Sequence, residues 1–96
     1  MYLKVHHTPQ GEVVAVCDAD LLNTTLSHGD VRIAITGAFY GTEQATEEEI
    51  RAALKNASNA NLMGKKATGV AIAMGLITQK GCLSVGGVPH AIIITV

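Results

Sequence analysis

Gly86-Gly87-Val88-Pro89-His90-Ala91-Ile92-Ile93-Ile94 is the stretch on which the fold turns. Paired glycines give the backbone freedom, proline fixes φ, and a titratable ring follows at once. The isoleucine run behind them is the most apolar in the chain. A strand of continuous apolar residues is one covered on both faces. Gly86 to Pro89 therefore reads as the connector into a last strand, Ala91 to Val96, lying inside a sheet. On an edge, such a strand would invite aggregation or a partner chain.

Upstream, Cys82-Leu83-Ser84-Val85 reads as the preceding strand and Gln79-Lys80-Gly81 as a turn. Before these, residues from about Leu62 to Met74 read as a helix. Met63, Ala67, Val70 and Met74 form its apolar stripe, Ala71 lies beside them, and Gly75 is its C-cap. Gly64, Gly69 and several alanines slim its surface, which suggests close approach to a neighbour. An earlier helix opens at Thr46-Glu47-Glu48-Glu49, a capping box with Glu49 three residues beyond the N-cap. Ile50, Ala53, Leu54 and Ala57 share its inner face. Ser58-Asn59-Ala60-Asn61 reads as the end of that helix and the cap of the next.

The N-terminal half reads as β-structure. Tyr2 to His7 and Glu12 to Asp18 form a hairpin across Thr8-Pro9-Gln10-Gly11. Asp18 is placed to cap a short helix or turn over residues 18–23. Thr24 to Asp30 has no clear period and reads as a loop. Val31 to Ile35 is a third strand, with Val31, Ile33 and Ile35 on one face. Ala38-Phe39-Tyr40-Gly41 gathers the only Phe and one of the two Tyr, a knot that anchors a loop to the core. The expected fold is α/β (α+β): a mostly antiparallel sheet of about five strands with two main helices on one face.

Ninety-six residues make a single domain, one that buries about 65% of its unfolded surface. With apolar residues at 48% but no Trp, one Phe and two Tyr, the core must be aliphatic. The net charge of −1 argues against binding long nucleic acid without sequence preference, although a local basic patch is compatible with it. No apolar run approaches membrane-spanning length, and the N-terminus lacks a signal pattern. Cys17 and Cys82 have no metal or redox spacing and read as reduced thiols. These features together read as cytosolic, without cofactor or metal.

Three pieces then stand out: Phe39-Tyr40-Gly41, Asn61-Leu62-Met63-Gly64, and Gly86-Gly87-Val88-Pro89-His90-Ala91. Taken with Met1-Tyr2-Leu3-Lys4-Val5 and Val14-Ala15-Val16-Cys17-Asp18, their order and spacing resemble the archaeal domain-of-unknown-function family 424. The resemblance spans essentially the whole chain. It implies a small cytosolic archaeal α/β protein and carries no established activity, so no catalytic residue follows from it.

The candidate binding residues are Tyr40, Asn61, Gly64, Lys65, Lys66, Gly86, Gly87 and His90. His90 reads either as an acid, base or metal ligand or as a ring that locks the glycine turn through neighbouring backbone. His6 and His7 point to opposite faces of a strand and read as having no chemistry. Asn61 to Lys66 reads either as an anion site, with free N–H groups and two lysines, or as an ordinary helix start with solvated lysines. The acidic residues Glu43, Glu47, Glu48 and Glu49 read as a solvated helix N-terminus.

Two functions are compatible with these features. One is a non-enzymatic binding module serving translation or an RNA assembly. The other is a small enzyme or ligand-binding protein with a pocket at the Gly86-to-His90 turn, which requires Asn61 and Tyr40 to converge on His90. A homodimer, through a sheet edge or the alanine-glycine helix, suits either.

Overall fold

One valine-rich stretch, Val13 to Cys17, dictates the centre of the molecule. The computed structural model describes residues 1–94. Strands β1 (Tyr2–Thr8) and β2 (Gly11–Cys17) form the expected hairpin. Val14, Ala15, Val16 and Cys17 are all buried, so β2 is covered on both faces. Its other neighbour is β5 (Asn59–Met63), which runs parallel to it. β7 (Val88–Ile94) lies antiparallel to β5, and the short β6 (Leu83–Val85) closes the sheet in the order β1-β2-β5-β7-β6. Three of the four pairings are antiparallel.

Helices α2 (Glu47–Lys55) and α3 (Lys65–Ala73) cover one face of this sheet. The capping box of α2 is formed: Glu49 N–H donates to Thr46 Oγ1, and Thr46 N–H to Glu49 Oε1. Ile50 and Leu54 pack with Val14, Val16, Ala60, Leu62, Ala67, Val70 and Ala91. α3 ends in a Schellman motif, with Leu76 N–H on Ala71 O and Gly75 N–H on Ile72 O. Gly75, at φ +75°, sits where the expected C-cap glycine belongs.

The opposite face is half covered. A separate hairpin of β3 (Thr25–His28) and β4 (Val31–Ala34) lies over it beside α1 (Gly37–Tyr40). Ile35 and Tyr40 from this layer pack with Ala15, Cys17 and Met63 of the sheet. Beyond this cluster, Ile92 and Ile94 lie 59% and 71% exposed.

Four expectations need correction. Thr24 to Asp30 is mostly strand β3, because Leu26 alone needs an inward position and the turn falls at Gly29-Asp30. Val31 to Ala34 belongs to that hairpin and not to the main sheet. Residues 59–63 form a strand: Asn59, Ala60, Asn61 and Leu62 alternate polar and apolar, which is a two-residue period. The second helix therefore begins at Lys65. The last strand is interior only along Val88 to His90, where β6 pairs with it; its open-face isoleucines are exposed. The expected continuation of that strand to Thr95 and Val96 lies outside the described residues.

Candidate functional site

Parallel pairing of β2 with β5 puts their C-terminal ends at the start of α3. Gly64 occupies the N-cap position at φ +113°, a conformation that L side chains rarely adopt. A Cβ there would collide with the Asp18 carboxyl group. That carboxylate accepts from Lys66 N–H at 3.1 Å and Ala67 N–H at 2.8 Å. The first turn of α3 thus has its anion already, supplied by the chain itself. The Asp18 side chain does not cap the short 3-10 turn Ala19–Leu21 that follows it, where only its backbone carbonyl accepts, from Leu21 N–H at 3.1 Å. Asn61 is not the helix cap, since it lies three residues upstream in β5. The side chains of Lys65 and Lys66 are solvent-exposed.

Asn61 works on the open face instead. The Tyr40 hydroxyl donates to Asn61 Oδ1 at 2.7 Å, and His90 Nε2 donates to the same oxygen at 3.2 Å. α1 supplies the tyrosine, β5 the amide and β7 the ring. The three therefore converge, as a site at this place requires. With its oxygen engaged twice, the Asn61 amide has its NH2 group left to offer. Burial and then the neighbouring Cys17 push the Tyr40 hydroxyl up to about 12. Burial, followed by the Asp18 carboxylate, pushes the Cys17 thiol up to about 11. Burial also lowers His90 below the usual imidazole range. At neutral pH all three groups are uncharged.

The glycine turn stands apart from this cluster. Gly86 (φ +56°) and Gly87 (φ +83°) form the two-residue connection of β6 and β7, a hairpin type that needs positive φ twice. A Cβ on Gly86 would come 2.7 Å from Ser27 O, so β3 also requires glycine there. The ring that bonds the turn is His28: Gly86 N–H donates to its Nδ1 at 3.4 Å. His90, read from sequence as the possible lock, bonds Asn61. Gly87 and Lys65 line two adjoining depressions. One of about 430 Å³ also includes Thr68, Gln79, Cys82 and Ser84; one of about 160 Å³ includes Asp18, Asp20 and Gly64. The eight candidate residues thus divide between the open sheet face (Tyr40, Asn61, His90) and the turn with the α3 start.

Two residues passed over in the sequence join the first group. The His6 ring stacks on Phe39 at 5.1 Å, and His6 Nε2 donates to Phe39 O at 2.7 Å. Lys4 Nζ donates to Ala38 O at 3.0 Å. Tyr40 meets Phe39 edge-on at 4.8 Å. The alternation of β1 gave the clue, since His6 shares a face with Lys4, but only the fold brings α1 over that face. The cross-strand rows are then His6–Val13–Asn59–Ile94 and Lys4–Ala15–Asn61–Ile92. Among the described residues, no three His, Cys, Asp or Glu side chains gather as a metal set, and no helix is long and apolar enough to cross a membrane.

Comparison with known proteins agrees with the resemblance read from the sequence. A crystal structure of an uncharacterized conserved protein from Methanopyrus kandleri superposes with a TM-score of 0.82 at 27% identity, covering 99% of this chain and 92% of that one. No curated protein matches the chain. The family of proteins of unknown function DUF424 matches residues 5–96. The chain belongs to that family.

Proposed function

We propose that this chain is a non-enzymatic binding module that receives single-stranded RNA on the open face of its sheet. One observation carries the reading: the His6–Phe39 stack, with Phe39 exposed, shares the open sheet face with two amides, Asn59 and Asn61, and the described strand positions of that face carry no carboxylate side chain. The strand positions on that face carry Lys4, His6 and His90 as their titratable cationic side chains. Unstacked bases are held by aromatic faces and by hydrogen bonds to their edges, and a sheet is a common platform for both. Binding fits the local chemistry better than catalysis does. Cys17 and Tyr40 are held protonated, so neither is an activated nucleophile. The overall charge of −1 predicts that stacking and amide contacts outweigh phosphate contacts.

The test is fluorescence anisotropy with short labelled oligoribonucleotides at two salt concentrations. Single strands should bind with shallow salt dependence, and a duplex of the same sequence should not. Phe39→Ala should weaken binding by roughly tenfold, since one base stack is worth about 1–3 kcal/mol. Equal binding by Phe39→Ala, or none by the wild type at millimolar protein, would overturn the reading.

A second reading rests on the depression of about 430 Å³ beside Gly87 and Pro89. Its volume is within the range of small-molecule sites, and Lys65, Ser84 and Gln79 give it polar contacts. Small carboxylates and phosphates shifting the NMR signals of Ser84 and Gly87 would favour it; an unchanged spectrum would remove it.

A further inference from the structure

We infer that two copies of this chain pair through the outer edge of β7, continuing one sheet across a two-fold axis. β6 is three residues long, and its ladder with β7 ends at Leu83 and His90. Before Leu83 the chain leaves the sheet, because Gly81 N–H turns back to Thr78 O. Among the described residues, β7 therefore has a strand on its β5 side only from Ala91 to Ile94.

Backbone groups alternate between the two sides of an antiparallel strand. Pro89 O accepts from Gly64 N–H on the β5 side. By that alternation Ala91 and Ile93 also address β5, while Ile92 and Ile94 direct their N–H and C=O groups to the open edge. The side chains of the same two residues are 59% and 71% exposed, and Leu83, on the same face, is 71% exposed.

Proteins that stay monomeric guard such edges with charge, bulges or cover. The opposite edge is guarded in this way: β1 carries Lys4 and is bridged at Tyr2 to Gln44. From Leu83 to Ile94 there is no Lys, Arg, Asp or Glu. A second copy fits this edge because an antiparallel strand is complementary to its own two-fold mate. With the axis at Ile93, Ile92 and Ile94 of one copy face Ile94 and Ile92 of the other. Both open sheet faces then lie on the same side. A net charge of −1 per copy opposes the pairing little.

The area sets the strength. Each exposed Ile or Leu carries on the order of 100 Å² of apolar surface. Three per copy supply less than half of the roughly 800 Å² per partner found in stable complexes. The dimer is accordingly a weak, exchanging one, with a dissociation constant on the order of 100 micromolar.

Sedimentation velocity on the full chain, without RNA, tests this from about 10 µM to 1 mM. The wild type should move from the 10.0 kDa monomer toward twice that mass. Ile92→Lys should remain monomeric throughout with its melting temperature preserved. In the wild type, amide exchange at Ile92 and Ile94 should slow as concentration rises, a readout that needs no variant. A wild-type monomer at 1 mM, a persistent dimer in Ile92→Lys, or concentration-independent exchange at both amides would each overturn the inference. It rests on the β7 edge alone, so failure of RNA binding would leave it standing.

Discussion

Asp18 closes the N-terminus of α3 from 48 residues away, and local sequence holds no trace of that link. Its carboxylate takes two backbone N–H groups that would otherwise stand unpaired in a largely buried place. Asp18→Ala should cost about 2–3 kcal/mol, the range for charge-assisted bonds, while Asp18→Asn keeps one acceptor and should cost less. Urea unfolding of both variants checks the order. Asn61 offers a finer test. Burial lowers the His90 pKa in the folded chain, so His90 contributes stability that is present above its unfolded value near 6.5 and is lost as pH falls through the folded value. Asn61→Asp would put a carboxylate where Oδ1 now lies 3.2 Å from the ring. A negative neighbour favours the imidazolium, so the His90 pKa should rise. NMR titration of His90 reads the change; a downward shift would contradict the assigned contact.

Elements were legible where one period served one purpose. The Thr46–Glu49 box and the Ile50–Leu54 stripe specify α2 because cap and apolar face agree. β5 was not legible as a strand because asparagine and alanine are poor strand formers, and capping residues suggested a helix boundary. Its neighbours β2 and β7 decide the matter by pairing on both edges. The same override moves Asn61 from the helix cap to the open face, where the sheet brings it together with Tyr40 and His90. Gly69 shows the reverse error. It read as a point of close approach, yet a Cβ there would meet nothing within 4 Å. Gly69→Ala should therefore stabilise the chain by about 0.5–1 kcal/mol through helix propensity and the unfolded state. Gly64→Ala, five residues earlier, should instead cost about 1–3 kcal/mol, from strain at φ +113° and the collision with Asp18. Thermal melts of the two variants should move in opposite directions.

At the scale of the whole molecule, the two faces of the sheet are unequally held. The helical face buries a continuous aliphatic cluster from three strands and both long helices, with Leu3 and Val5 of β1 packed against it. Among the described residues, the other face is covered by α1, by Leu21 and Leu22, and by a hairpin whose strand residues are mostly exposed. β2 and β5 belong to both layers, since their side chains alternate between the two clusters. Among the described residues the β3–β4 ladder pairs only with itself, although Gly86 N–H reaches His28 from the main sheet. Local opening follows such differences in burial. Amides of Val14 to Cys17 and of Leu62 and Met63 should exchange only through global unfolding. Those of Thr25 to His28 should exchange through a cheaper opening that releases the hairpin and leaves the helical layer intact. Native-state hydrogen exchange in low urea measures this. Hairpin amides that merge with β2 only at the global unfolding free energy would show that the two layers open together. In that case Ile35, fully buried under the hairpin, would be as much a part of the main core as Ile50.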